Sequence, residues 1–140
     1  MIQLSIYPAA YVAGRDFDDE TMIISIVSPN VVHPNIYAKH VHQFHFHDIT
    51  ETYMIQSGIV EAMRYEIAEL IAEAACNHLD KKRFVIHCEA GISRSPGVAM
   101  GLARYIDMNP NANEIARHFP HYNLHVCRLV QRAMRIKMKG

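Results

Sequence analysis

Apolar positions along this chain recur with two different periods, and the alternation between those periods predicts the architecture. Gln3–Ile6, Met22–Val27 and Val41–Phe46 are short runs rich in β-branched and aromatic residues and read as strands, as does the buried-looking Phe84-Val85-Ile86. Ala9–Ala13 reads as a short helix after the first strand. Ser28–Lys39 holds two prolines and two asparagines and reads as a loop. From Gly58 to His78, Ile59, Met63, Ile67, Leu70, Ile71 and Ala74 recur at helical spacing, which predicts the longest helix with one buried stripe. Asp80-Lys81-Lys82 then turns the chain into the Phe84 strand. Pro96–Ile106, Ala112–Phe119 and Leu124–Lys137 read as helices, with Pro120 and His121 separating the last two. Strands alternating with helices predict a single α/β domain: a mainly parallel central sheet of about four or five strands, with helices on both faces. Ligands of such sheets bind beyond the C-terminal ends of the strands.

The segment between the fourth strand and its helix carries the chemistry. It reads His87-Cys88-Glu89-Ala90-Gly91-Ile92-Ser93-Arg94-Ser95, with the cysteine and arginine six positions apart. Cys88 falls at a strand end, on a loop feeding a helix N-terminus. A tight loop there turns successive backbone N–H groups, from Glu89 through Arg94, into an anion-binding nest, and the helix N-terminus adds partial positive charge. Gly91 supplies the positive φ that so tight a turn needs. Arg94 offers a planar fork of donors that grips two phosphate oxygens at once, which lysine does not. The same field favours the thiolate of Cys88, a nucleophile aimed at phosphorus. Ser95 is placed to hydrogen-bond the sulfur and help it leave. His87 is expected to hold the loop through hydrogen bonds rather than act as a base.

HCEAGISRS, within FVIHCEAGISRSPGVAMGLARY, resembles the phosphate-binding loop of the cysteine-dependent protein tyrosine phosphatases, especially the small dual-specificity-like enzymes of bacteria and phages. The resemblance implies a two-step reaction through a phosphocysteine, with no metal or other cofactor. It also implies an aspartic acid upstream of the loop that protonates the leaving oxygen. Asp48, in Phe44-His45-Phe46-His47-Asp48-Ile49, is the best candidate, because it ends an alternating segment that reaches the same edge as the Cys88 strand. Related enzymes place an aspartate in a Phe-Asp-Asp-Ile-like context, and here His47 takes the first acidic position. Its rivals are Glu51 and the Asp16, Asp18, Asp19 cluster, and Asp48-Ile49-Thr50-Glu51 also matches a capping box. Asn123 reads as the N-cap of the last helix. It falls in a stretch similar to one that packs beneath the phosphate loop in the family, which implies a supporting role.

Composition adds bounds rather than direction. The chain has 140 residues, half of them hydrophobic, which suits one soluble domain. Equal numbers of basic and acidic residues, 14 each, give no bulk attraction to nucleic acid or membrane. Neither a leader-like start nor a transmembrane-length run is seen, and three cysteines at unrelated spacings fit a reducing compartment, so the expected location is the cytoplasm. Cys76 and Cys127 read as core residues. His40, His42, His45 and His47 crowd one strand, with His45 and His47 expected on one face and His40 and His42 on the other. No cysteine or supporting pattern accompanies them, so no metal site is expected.

Substrate class is less determined. The loop carries acidic Glu89 and no lysine, which argues against polyphosphorylated inositides. A phosphorylated protein, phosphotyrosine before phosphoserine or phosphothreonine, or a small phosphate ester, is the expected partner, with inhibition by phosphate or vanadate. A non-catalytic phosphate-binding module would keep Arg94 while losing nucleophile or acid. Arsenate reductases and low-molecular-weight phosphatases also use Cys-x5-Arg, but near an N-terminal strand rather than past mid-chain.

Overall fold

A computed structural model describes residues 1–49 and 63–139. Its elements in chain order are β1 (Ile2–Pro8), α1 (Ala9–Val12), β2 (Thr21–Val27), β3 (His40–His45), α2 (Tyr65–Cys76), β4 (Arg83–Cys88), α3 (Arg94–Ala103), β5 (Met108–Asn109), α4 (Ala112–His118) and α5 (Leu124–Lys139). The five strands form one sheet in the order β3-β2-β4-β1-β5, and every pairing is parallel. The expected α/β architecture is present.

Parallel pairing brings all the strand C-termini to one edge, and β4 lies in the middle with Cys88 at its end. Every residue of β2 is buried and β4 is buried from Phe84 onward, as central strands covered on both faces must be. β5 escaped the sequence pattern. It is two residues long and pairs only with Ile2 and Gln3, too short for any period to show.

The two faces are covered unequally. Met22, Ile24, Ile26, Phe84 and Ile86 point to a face packed by α2, α3, α4 and α5, where the large core lies. Val12 of α1, Ile23 and Val85 form a small second core on the other face, joined by half-buried Phe17, Ile36, Ala38 and Val41. On the helical side α3 and α5 approach closely. A Cβ at Gly101 would sit 2.7 Å from Val130 Cβ, so glycine sets the spacing there.

The longest predicted helix needs correction. Its first residues, 58–62, lie outside the described residues, and Arg64 is extended (φ −93°, ψ 157°), so α2 begins at Tyr65 and ends at Cys76. Its buried stripe holds in part. Met63, Ile71 and Ala74 are buried as expected and Ile67 packs half-buried against the core, but Leu70 is 55% exposed, and Ala68, Ala72 and Ala75 are buried as well. Small side chains beside Ile71 let α2 lie close against the core.

Candidate active site

Cys88 is 2% exposed, at the junction of β4 and the loop that starts α3. Its sulfur meets two polar groups. The Gly91 N–H points at Sγ over 3.2 Å, and Ser95 Oγ lies 3.1 Å from Sγ on the other side. The loop bends at Gly91, whose φ is +73°; a Cβ there would come within 2.7 Å of Pro8 N, so both conformation and space require glycine. Ala9 N–H donates to Glu89 O at 3.2 Å, tying the loop to the start of α1.

Arg94 is 6% exposed and held from three directions. One guanidinium nitrogen donates to Phe46 O at 2.9 Å and to Ser28 Oγ at 3.0 Å, and the other lies 3.5 Å from Glu89 Oε2. The ends of β2 and β3 therefore fix the plane of the fork. Glu89 itself accepts from Ser28 N–H at 2.9 Å. That backbone donor first, and the Arg94 charge second, hold its carboxyl below the usual carboxylate range.

Asp48 follows β3 and reaches this same edge. Its Oδ1 accepts from Ser93 Oγ at 2.7 Å and from Asn123 Nδ2 at 2.8 Å. Asn123 is buried and spans the gap between loop and last helix. Its Oδ1 accepts Val126 N–H at 3.0 Å, its own N–H donates to Ser93 O at 2.9 Å, and Nδ2 also reaches Ile49 O at 3.3 Å. The helix cap read from the sequence and the loop support implied by resemblance are thus one residue.

Of the rival acids, Asp18 pairs with Arg83 and accepts from Thr21, at the strand starts. It is a strand's length, roughly 16 Å, from Cys88. Asp16 makes a backbone bridge to Tyr37. Glu51 lies outside the described residues. Ala90 and Ile92 face outward, Ile92 being 57% exposed at the rim.

The histidines separate. His42 Nε2 lies 3.1 Å from His78 Nε2, and the His40 ring stacks obliquely on His78 at 4.8 Å. His45 packs edge-on against His33 at 4.5 Å, while His47 lies beyond the end of β3. Among the described residues no three His, Cys, Asp or Glu side chains are grouped to hold a metal ion. Cys76 is half-buried and Cys127 buried, and burial raises both thiols above their ordinary acidity range.

Sequence reasoning missed Ser25, Ser28 and His33. Each sits in a segment that reads only as strand or loop, and each gains its partner through contacts at least eight residues away. No signal along the chain marks them.

Comparison of the chain with protein-family models, curated proteins and solved structures returns no match. Among the described residues no helix is long and apolar enough to cross a membrane.

Proposed function

We propose that this chain is a cytoplasmic, metal-independent phosphatase of the protein-tyrosine-phosphatase type, acting on phosphate monoesters. Its preferred partner is a phosphorylated protein, phosphotyrosine first. The observation that carries the reading is the convergence on one sulfur. Gly91 N–H and Ser95 Oγ both meet Cys88 Sγ at a strand end, with buried Arg94 beside the loop and Asp48 tethered to the same loop through Ser93.

In this reading the loop amides and the Arg94 fork bind the three non-bridging phosphate oxygens. The Cys88 thiolate attacks phosphorus, and the phosphorus–oxygen ester bond breaks as Asp48 gives its proton to the leaving oxygen. The products of this step are the free alcohol and a phosphocysteine. Water then attacks phosphorus, Asp48 takes its proton, and the phosphorus–sulfur bond breaks to release phosphate. Ser95 donates a hydrogen bond to the departing sulfur, so the thiolate is regenerated. The exposed position of Asp48 supports this role, because an acid must reach a bulky leaving group.

Hydrolysis of p-nitrophenyl phosphate across pH, with EDTA present, tests the proposal. Wild type is expected to turn over, Cys88→Ser to be inactive while still binding vanadate, and Asp48→Asn to lose the limb of the profile that needs a protonated acid. Vanadate binding without turnover in wild type would make the chain a phosphate-binding module. Activity abolished by EDTA would overturn the metal-free mechanism.

A further inference from the structure

Strand alternation sends Cys88 to one face of the sheet and His87 to the other, where it pairs in register with Ser25 of β2. From there a chain of three side chains runs away from the reaction loop. Ser25 Oγ lies 2.5 Å from His87 Nε2 and 2.7 Å from His33 Nδ1, and His87 Nδ1 lies 3.3 Å from the carbonyl oxygen of Cys88.

The last member decides where every proton sits. A carbonyl only accepts, so His87 Nδ1 carries a hydrogen and donates it. Burial, the largest influence on His87, pushes its pKa down and keeps it neutral, so Nε2 is a bare acceptor. Ser25 must then donate to Nε2. Having one hydrogen, its oxygen receives one from His33, whose proton therefore sits on Nδ1. Burial, then His45 and His87 beside it, lowers the His33 pKa to about 4, so its ring is neutral as well. Among the described residues its buried Nε2 has no hydrogen-bond partner, so a second proton there would be a buried charge with no counterion among them.

We infer that His33 is a positioning residue of the reaction loop, fixing through Ser25 the tautomer of His87 and through His87 the peptide that follows Cys88. In a trans peptide the C=O and the next N–H point in opposite directions. Holding the Cys88 carbonyl toward His87 aims the Glu89 N–H the other way, toward the face where the sulfur lies. Every donor in the chain points toward the loop, so the bonds polarise one another in one sense. Loss of His33 or Ser25 frees His87 to take the Nε2–H tautomer, which sets a nitrogen lone pair against the Cys88 carbonyl. The same segment supplies Ser28 to Arg94 and to Glu89, so residues 25–33 grip the loop from both ends.

The kinetic part of this inference rests on the phosphatase reading; the tautomers do not. The test is ¹⁵N-histidine NMR at pH 7.5 on wild type, Ser25→Ala, His33→Phe and His33→Asn, together with p-nitrophenyl phosphate kinetics. Wild type is expected to show His87 and His33 as Nδ1–H tautomers. His33→Phe and Ser25→Ala are expected to mix the His87 tautomers and lower kcat about tenfold, with KM changed less. His33→Asn, whose amide donates where Nδ1–H did, is expected to stay within about threefold of wild type. If His33→Phe fails to fold, the rescue by His33→Asn set against Ser25→Ala decides. A proton on His87 Nε2 in wild type, or an unchanged His87 tautomer in both disruptive variants, would overturn the inference. Altered tautomers with unchanged kcat would also overturn it, reducing the chain to a structural one. Expected tautomers with no turnover in wild type would sink the phosphatase reading and leave the hydrogen-bond chain intact, but the positioning role would fall with it.

Discussion

The two faces of the sheet are built differently. One is apolar and carries four helices, with Phe46, Phe84, Ile24 and Ile86 fully buried beneath them. The other has a small apolar patch around Ile23 and Val85, then, towards the strand ends, a polar layer of Ser25, His87 and His33 covered by α1 and loops. The first face excludes water and supplies stability. The second spends burial on hydrogen bonds that contribute little net stability yet fix geometry. The Cys88 loop stands where the two meet. Cys88 belongs to the helical side and His87 to the polar side, one residue apart, because side chains alternate along a strand.

That comparison is sharpest where function and stability are expected to separate. Cys88→Ser is expected to lower turnover at least about 10⁴-fold while leaving the urea midpoint nearly unchanged. A large fall in the midpoint would mean the thiol serves packing. Ile24→Ala and Ile23→Ala remove the same atoms from opposite faces of β2, and both side chains are fully buried. Ile24→Ala is expected to cost about 4 kcal/mol and Ile23→Ala about 2, because loops collapse around a cavity more easily than packed helices do. Equal costs in urea titrations would erase the distinction between the faces. Gly91→Ala is expected to leave the fold in place, costing about 1–2 kcal/mol, but to reduce turnover by roughly 100-fold, because the added methyl meets the chain at Pro8.

The smallest expected effect is one of pH. His33 has a folded pKa of about 4, below its ordinary 6.5. The unfolded chain therefore binds more protons between those values, and stability falls as pH drops from about 6.5 towards 4, then levels off for this group. Partial exposure screens the effect and keeps it modest. Thermal midpoints between pH 7.5 and 4 are expected to decline less steeply in His33→Asn than in wild type. Parallel curves would show that His33 does not sense the buried environment of the polar face.

Much of this was legible along the chain. Three of the strands and the fourth's Cys88 end followed from period and composition: β2 and β4 are largely apolar, as central parallel strands must be, and β1 and β3 alternate. The loop was legible because its candidate residues are local: Cys88, Gly91, Arg94 and Ser95 fall within eight consecutive residues. Asp48 rested on the resemblance, which implies an upstream acid, and on β3 ending at the same edge as β4; Asn123 was read from its capping position. α2 was misjudged at its start and at Leu70, which is exposed on a helix whose Ile71 and Ala74 are buried as expected.

By itself the sequence determined the alternation of strands and helices and the strand–loop–helix turn at Cys88, since each depends on neighbours within one or two turns of chain. Only the tertiary structure decided what surrounds that loop. Ser93 holding Asp48, Ser28 bracing Arg94 and His33 reaching His87 through Ser25 join residues far apart in the chain. A hydroxyl or an imidazole has the same local propensity whether it faces water or completes such a chain. The difference arises when β2 and β4 pair, and burial then makes each missing partner costly.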